Sequence, residues 1–191
     1  MVLESERGRG LQIGAGVGIC RGDIILVLHA DCRIISNTLE RMVLELNNHP
    51  QCIGGSLGMH YQNGSIKTRF LSFLNYFRAR WAGISFGDQG QFFRKEALDS
   101  IGGFPEQMLM EDVELSLRFL ENGASCYIPR GIRVSKSRWD HMGFFPNFKT
   151  IVSLCLEYLI KRRLGLGDSR RKEFYSRYYP EDSLNMKPIK S

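Results

Sequence analysis

The sequence predicts an α/β fold, a mixed and mostly parallel sheet flanked by helices. Ile24-Ile25-Leu26-Val27-Leu28 is a short, continuous, β-branched run, the pattern of a strand covered on both faces. Strand-like and helix-like segments then alternate through the first half of the chain, as connected β and α units do. The later strand segments are short, so a mixed edge is expected.

The elements follow in order. Residues 9–20 read as a glycine-rich helix, with Gly10, Gly14, Gly16 and Gly18 weakening it unless close packing or a ligand requires them. A strand at 24–29 ends in His29-Ala30-Asp31. A helix at 37–48 has Leu39, Met42, Val43 and Leu46 on one face, and Asn37 with Glu40 as a variant capping box. Residues 52–61 read as a strand with glycines, and 67–82 as a helix whose Phe70, Leu71, Leu74, Phe77 and Trp81 belong to a core. The strand "QFFR" precedes a helix at 94–101, which "GGFP" terminates. A helix at 111–122, short strands at 125–128 and 132–135, and a helix at 146–164 that is apolar almost all round complete the pattern.

With 191 residues the chain is long enough for one well-cored domain. Its 43% hydrophobic and 24% charged content is that of an ordinary globular protein. The net charge of +6 suits anionic partners such as nucleotide diphosphates, nucleic acid or acidic lipid. Five cysteines at irregular spacings, with no CxxC pair, argue against a zinc site or a disulfide framework and for a reducing compartment. The stretch "MVLESERGRGLQIG" has no apolar segment of the kind a signal peptide needs and no run reaches membrane-spanning length, so neither feature is expected.

Asp31 closes an apolar strand, at the carboxyl edge where open α/β sheets bind ligands. It is read either as a solvating acid or as a ligand for a hard divalent cation bound alongside phosphates. His29 shares its strand face, as a second ligand or a packed histidine. Glu111-Asp112 falls in the first turn of a helix, where the dipole favours acids and where a general base could also sit. "GRGLQIGAGVG" fails the dinucleotide fingerprint in order and spacing, which sets aside a nicotinamide-dependent oxidoreductase, while Arg7-Gly8-Arg9-Gly10 stays open as a basic turn beside phosphate.

Six stretches in register, "GRGLQIGAG", "GDIILVLHADCRI", "FGDQGQFFRKEAL", "IGGFP", "LMEDVELSLR" and "VSKSRW", resemble the family 2 glycosyltransferases of GT-A fold. Within that family they resemble the transferases associated with radical-SAM and selenodomain proteins. The resemblance implies inverting transfer of a sugar from a nucleotide-diphosphate donor to an acceptor hydroxyl. The family's DxD-type motif falls on His29-Ala30-Asp31, with Asp31 matching the metal-contacting acid and His29 replacing the first acid. Asp112 would be the base, with Glu111 beside it, and Mg²⁺ or Mn²⁺ would stabilise the departing diphosphate. Arg9, Gly10, Ala30, Asp88 and Gln89 fall where donor or acceptor is expected. Arg138-Trp139 matches a late pair that neutralises diphosphate and lines the acceptor site, and His141 is a further candidate metal ligand.

The resemblance further implies one partial GT-A-like domain over 1–175, starting after the two units that hold base and ribose, and a tail at 176–191. Its partners would be a nucleotide-sugar donor and an acceptor, with no nucleic acid. The helix at 146–164, flanked by Lys149 and Lys161-Arg162-Arg163, is read as core, as a dimer face, or as contact with a membrane that holds a lipid-linked acceptor. The expected location is the cytoplasmic side, soluble or peripheral to a membrane. The competing reading is a non-catalytic binding module, or an inactive fragment, on the same scaffold.

Overall fold

The computed structural model describes residues 2–61, 65–135, 143–166 and 171–179. The elements run α1 (Arg9–Ile19), β1 (Ile24–Leu26), β2 (Cys32–Ile34), α2 (Thr38–Asn48), β3 (Cys52–Tyr61), α3 (Ile66–Trp81), β4 (Gln91–Arg94), α4 (Lys95–Ser100), α5 (Glu111–Asn122), β5 (Ala124–Val134), α6 (Phe144–Arg163) and α7 (Arg171–Tyr178). A 3₁₀ turn, Gly87–Gln89, leads into β4.

The five strands form one mixed sheet in the order β1-β4-β3-β5-β2. β1, β3 and β5 share one direction, but β4 enters antiparallel between β1 and β3, and β2 closes the far edge antiparallel to β5. The expected mostly parallel sheet therefore holds for strand direction only, since β3–β5 is the one parallel pair among the described residues. β4 buries both its faces: Phe92 joins the layer of α2 and α3, and Phe93 packs with α1, α4 and α5 on the other side. A third cluster joins Val113 of α5 to Leu154 of α6 and Phe174 of α7.

Several expectations need correcting. The two strands read at 125–128 and 132–135 are one strand, β5, bulged where Leu57 and Met59 pair with Ile128 and Ile132. Pro129 and left-handed Arg130 (φ 54°) at that bulge explain the apparent break. Asn37 adopts a left-handed conformation (φ 64°) and makes no side-chain cap to α2, so the capping box is not formed. The aromatic stripe of α3 is not core: Leu71 is buried, but Phe70, Phe77 and Trp81 are exposed. On α2, Met42 and Leu46 are buried while Leu39 and Val43 are exposed. The expected tail contains the end of α7, whose helix continues to Tyr178.

The cysteine spacing also misleads. Cys52 on β3 and Cys126 on β5 form a disulfide with Cα atoms 6.0 Å apart. They lie on hydrogen-bonded neighbouring strands, a proximity that a separation of 74 residues conceals.

Candidate active site

The loop before α5 and the first turn of α1 build the site together. Arg9 N and Gly10 N donate to Met108 O (3.1 Å) and Gln107 O (3.0 Å). Gly10 permits this approach, because a Cβ there would lie 2.3 Å from Gln107 O and 2.6 Å from Pro105 O. The docking aims the Arg9 side chain at the first turn of α5, where its guanidinium pairs with Glu111 and with Asp112. Met110, buried and left-handed (φ 66°), turns the chain into α5 so that both acids begin the helix.

Asp112 is held from every side. Its Oδ2 accepts from Gly87 N (2.7 Å) and from Arg9, and its Oδ1 accepts from Val113 N (2.8 Å). Its backbone carbonyl accepts from Gln91 Nε2 and Ser116 Oγ, each at 2.8 Å. Glu111 is fully buried, and its Oε2 has no partner among the described residues. Burial pushes the Glu111 carboxyl up to about 7, because Arg9's attraction is shared with Asp112, whose own charge opposes ionisation.

The chain leaving β1 brings His29 and Asp31 to the same cavity. His29 Nε2 is buried without a hydrogen-bond partner among the described residues. A Cβ on Gly87 would lie 2.7 Å from that nitrogen and 3.4 Å from Asp112 Oδ2, so histidine and acid both flank the 3₁₀ turn. Burial, then the Arg9 charge, lower the His29 pKa and favour the neutral ring. Asp31 is exposed. Asp88, in the same turn, has a buried Oδ1 without a partner among the described residues, and burial raises its carboxyl to about 6. Cys32 lies beside Asp31, its thiol pushed up to about 12 by burial and therefore un-ionised at neutral pH.

Arg9, His29, Asp31, Asp88 and Asp112 line a single cavity of about 480 Å³. Four separate segments thus bring their chemistry to one place. Gly10, Ala30, Gln89 and Glu111 are not among the lining residues. Gln89 is fully buried and holds the turn instead, its Oε1 accepting from Phe86 N (3.0 Å) and Arg78 Nη2 (2.7 Å). Arg138, Trp139 and His141 lie outside the described residues.

Sequence reasoning missed two components. Arg78 of α3 lines the cavity, stacked 3.4 Å over the Phe86 ring, and donates to Ile84 O (3.1 Å). A lone arginine on an amphipathic helix carries no signal of that. Gln91 joins Ser85, Ser116 and the Asp112 carbonyl in a buried polar network. Only the placement of a glutamine among the apolar residues of a strand hinted at it.

Among solved structures the chain is similar to mannosyl-3-phosphoglycerate synthase from Rubrobacter xylanophilus, with a TM-score of 0.51 at 15% identity. The match covers 88% of this chain and 53% of that one, so this chain spans about half the length of that relative. At such identity the likeness concerns the fold, the mixed sheet and flanking helices of a GT-A-like glycosyltransferase. No curated protein sequence matches the chain. Residues 1–104, which contain Arg9, His29, Asp31, Asp88 and the whole sheet except β5, match the sequence profile of glycosyl transferase family 2. More than half of the chain is covered by that match, and the chain belongs to glycosyl transferase family 2.

Proposed function

We propose that this chain transfers a sugar from a nucleotide-diphosphate donor to an acceptor hydroxyl, with Asp112 as the base. The observation that carries the reading is the convergence of Arg9, Asp31, Asp88 and Asp112 on one cavity from four separate segments. In the reaction the acceptor oxygen attacks the anomeric carbon as its proton passes to Asp112. The bond from that carbon to the diphosphate breaks, and the nucleotide diphosphate leaves with the bonding pair. Attack opposite the leaving group inverts the anomeric centre. Arg9 neutralises Asp112 before substrate arrives and offers a cation to diphosphate once it does.

A divalent cation fits the residues present. Such ions take hard oxygen donors, often one or two carboxylates completed by substrate phosphates. Asp31 offers an exposed carboxylate on the cavity wall, and His29 Nε2 and Asp88 Oδ1 are buried polar atoms without partners among the described residues. Among the described residues no cluster of three His, Cys, Asp or Glu could hold an ion unaided, so donor phosphates would complete the shell. When bound, the cation supplies charge stabilisation to the leaving diphosphate. The closer kinship with the radical-SAM-associated transferases rests on the six motifs alone. Peripheral membrane contact rests on the exposed Leu156 and Ile160 towards the basic end of α6, where Lys161 pairs with Glu157 and Arg162 with Glu114 and Glu121; no described helix is long and apolar enough to cross a membrane.

One observation favours the binding-module reading: both Asp112 oxygens already have partners. Calorimetric titration with UDP and GDP, with and without Mn²⁺, separates the two when paired with release of nucleotide from the corresponding donors. Metal-dependent binding that Asp31→Asn abolishes, with turnover reduced roughly 10²–10⁴-fold in Asp112→Asn at unchanged nucleotide affinity, is expected of the transferase. Binding without turnover would establish the module instead.

A further inference from the structure

We infer that the acceptor carries its hydroxyl on a hydrocarbon chain, seated between α3 and α6. The inference rests on the transferase reading above and names the class of its second substrate. The cavity has two unlike halves. Its charged groups are Arg9, Asp31, Arg78, Asp88 and Asp112. Apolar side chains supply much of the rest: Leu71, Leu74 and Phe77 from α3 and Phe148, Val152 and Leu156 from α6, with Asn75 and the rings of Tyr61, Tyr178 and Tyr179 among them. On each helix these positions fall three or four residues apart, so one continuous stripe of each lines the space.

Along those apolar stripes a polyhydroxylated acceptor would leave hydroxyls unpaired, at a cost for each group buried without a partner. A hydrocarbon chain has no such penalty and gains from every methylene removed from water. The apolar walls also run outward past the cavity. Phe77 and Leu156 are each 56% exposed while lining it, and Phe73, Trp81 and Ile160 extend the same helices' apolar surface to the outside. A chain longer than the cavity therefore has surface to lie along. Its hydroxyl end alone needs to reach Asp112. Lys67 and Arg80 on α3 and Lys149 on α6, all exposed on the same two helices, suit a chain presented from an anionic lipid surface.

The test titrates the whole chain with a series of alkan-1-ols, from butanol to decanol, by calorimetry. Each added methylene should tighten binding by about fourfold, the equivalent of ~0.8 kcal/mol, until the cavity is filled. Phe77→Gln and Leu156→Gln, both at half-exposed positions that folding tolerates, should flatten that dependence at unchanged thermal stability. A parallel titration with UDP and GDP in Mn²⁺ tests the transferase reading separately. Nucleotide binding with no chain-length dependence would overturn the hydrocarbon acceptor and leave the transferase. Alcohol binding without nucleotide binding would overturn the acceptor role, and silence in both arms would overturn both. A concentration-dependent dimer that masks Phe77 and Leu156 would likewise overturn the proposal, because a second copy would then occupy the mouth.

Discussion

The Arg9 guanidinium bridges the Asp112 carboxylate across 103 residues of sequence, tying the first turn of α1 to the first turn of α5. The same group holds Glu111, so one cation balances two adjacent acids. Its removal leaves a fully buried carboxyl and the candidate base without a counter-charge. Arg9→Gln is therefore expected to cost about 3 kcal/mol of stability, the lower end for a broken buried pair, since Arg9 is itself partly exposed. Urea unfolding of the two chains at pH 8 checks this, and a loss below about 0.5 kcal/mol, the scale of a surface change, would contradict it.

Glu111 should leave a signature in the pH dependence of stability. Its carboxyl is pushed up to about 7 from an ordinary value of 4.5 by burial. Between those values the folded chain keeps a proton that the unfolded chain has lost. The contribution of Glu111 is thus fully present below about pH 4.5 and is lost as pH rises towards 7, at up to about 1.4 kcal/mol per pH unit. Asp88, raised to about 6, acts in the same sense over a lower window, and His29, with its lowered pKa, acts against it. Subtracting the Glu111→Gln profile from that of the parent isolates the one group. The difference should shrink steadily from pH 5 to 7, and a flat difference would show that Glu111 titrates normally.

The glycines of α1 divide into two kinds. Gly10 faces the carbonyls of Pro105 and Gln107, where a Cβ cannot fit, and Gly16 has nothing within 4 Å of the same atom. Gly10→Ala should push α1 off its loop, displace Arg9 and cost about 1–3 kcal/mol, the range for overpacking. Gly16→Ala should instead stabilise the chain by about 0.5–1 kcal/mol through helix propensity alone. Thermal melts of both variants give the comparison, and the opposite signs are the prediction.

The disulfide between Cys52 and Cys126 closes a loop of 74 residues. The chain-entropy account assigns a loop of that length roughly 4 kcal/mol. Replacing both cysteines by alanine should lower stability by about 2–4 kcal/mol in oxidising buffer. Under dithiothreitol the gap between parent and variant should close. Differential alkylation with mass measurement reports the pairing directly: two unreactive sulfurs before reduction are expected at these positions.

Local chemistry made most elements legible. The continuous apolar run of β1 and the Gly-Gly-Phe-Pro stop after α4 depend on neighbours a few residues away, and so their presence read correctly from the sequence, though the strand expected at 24–29 pairs only over Ile24–Leu26. What failed was decided at long range. Antiparallel insertion of β4 between β1 and β3 leaves no local trace, because a strand buried on both faces reads alike in either direction. The aromatic residues of α3 look like core at helical spacing, but spacing cannot say whether a partner layer exists. In the site, Asp31 and Asp112 were visible as acids at the ends of apolar segments. Arg78 and Gln91 were not, since their roles come from a ring stacked beneath one and hydroxyls around the other.

β5 has a consequence for how the chain is made. It is the last strand among the described residues, yet it pairs with β3 on one side and β2 on the other. β2 ends at Ile34 and β5 at Val134, so during synthesis β2 waits for 134 − 34 = 100 further residues before its partner has left the ribosome. At about 5–20 residues per second that is an interval of about 5–20 s. Once β3 is complete at Tyr61, for the last 134 − 61 = 73 residues of it, the nascent chain carries the unpaired β5-facing edges of both β2 and β3. Holdase chaperones and stray strands of other chains compete for those edges in that interval, before residue 134 emerges and closes the sheet.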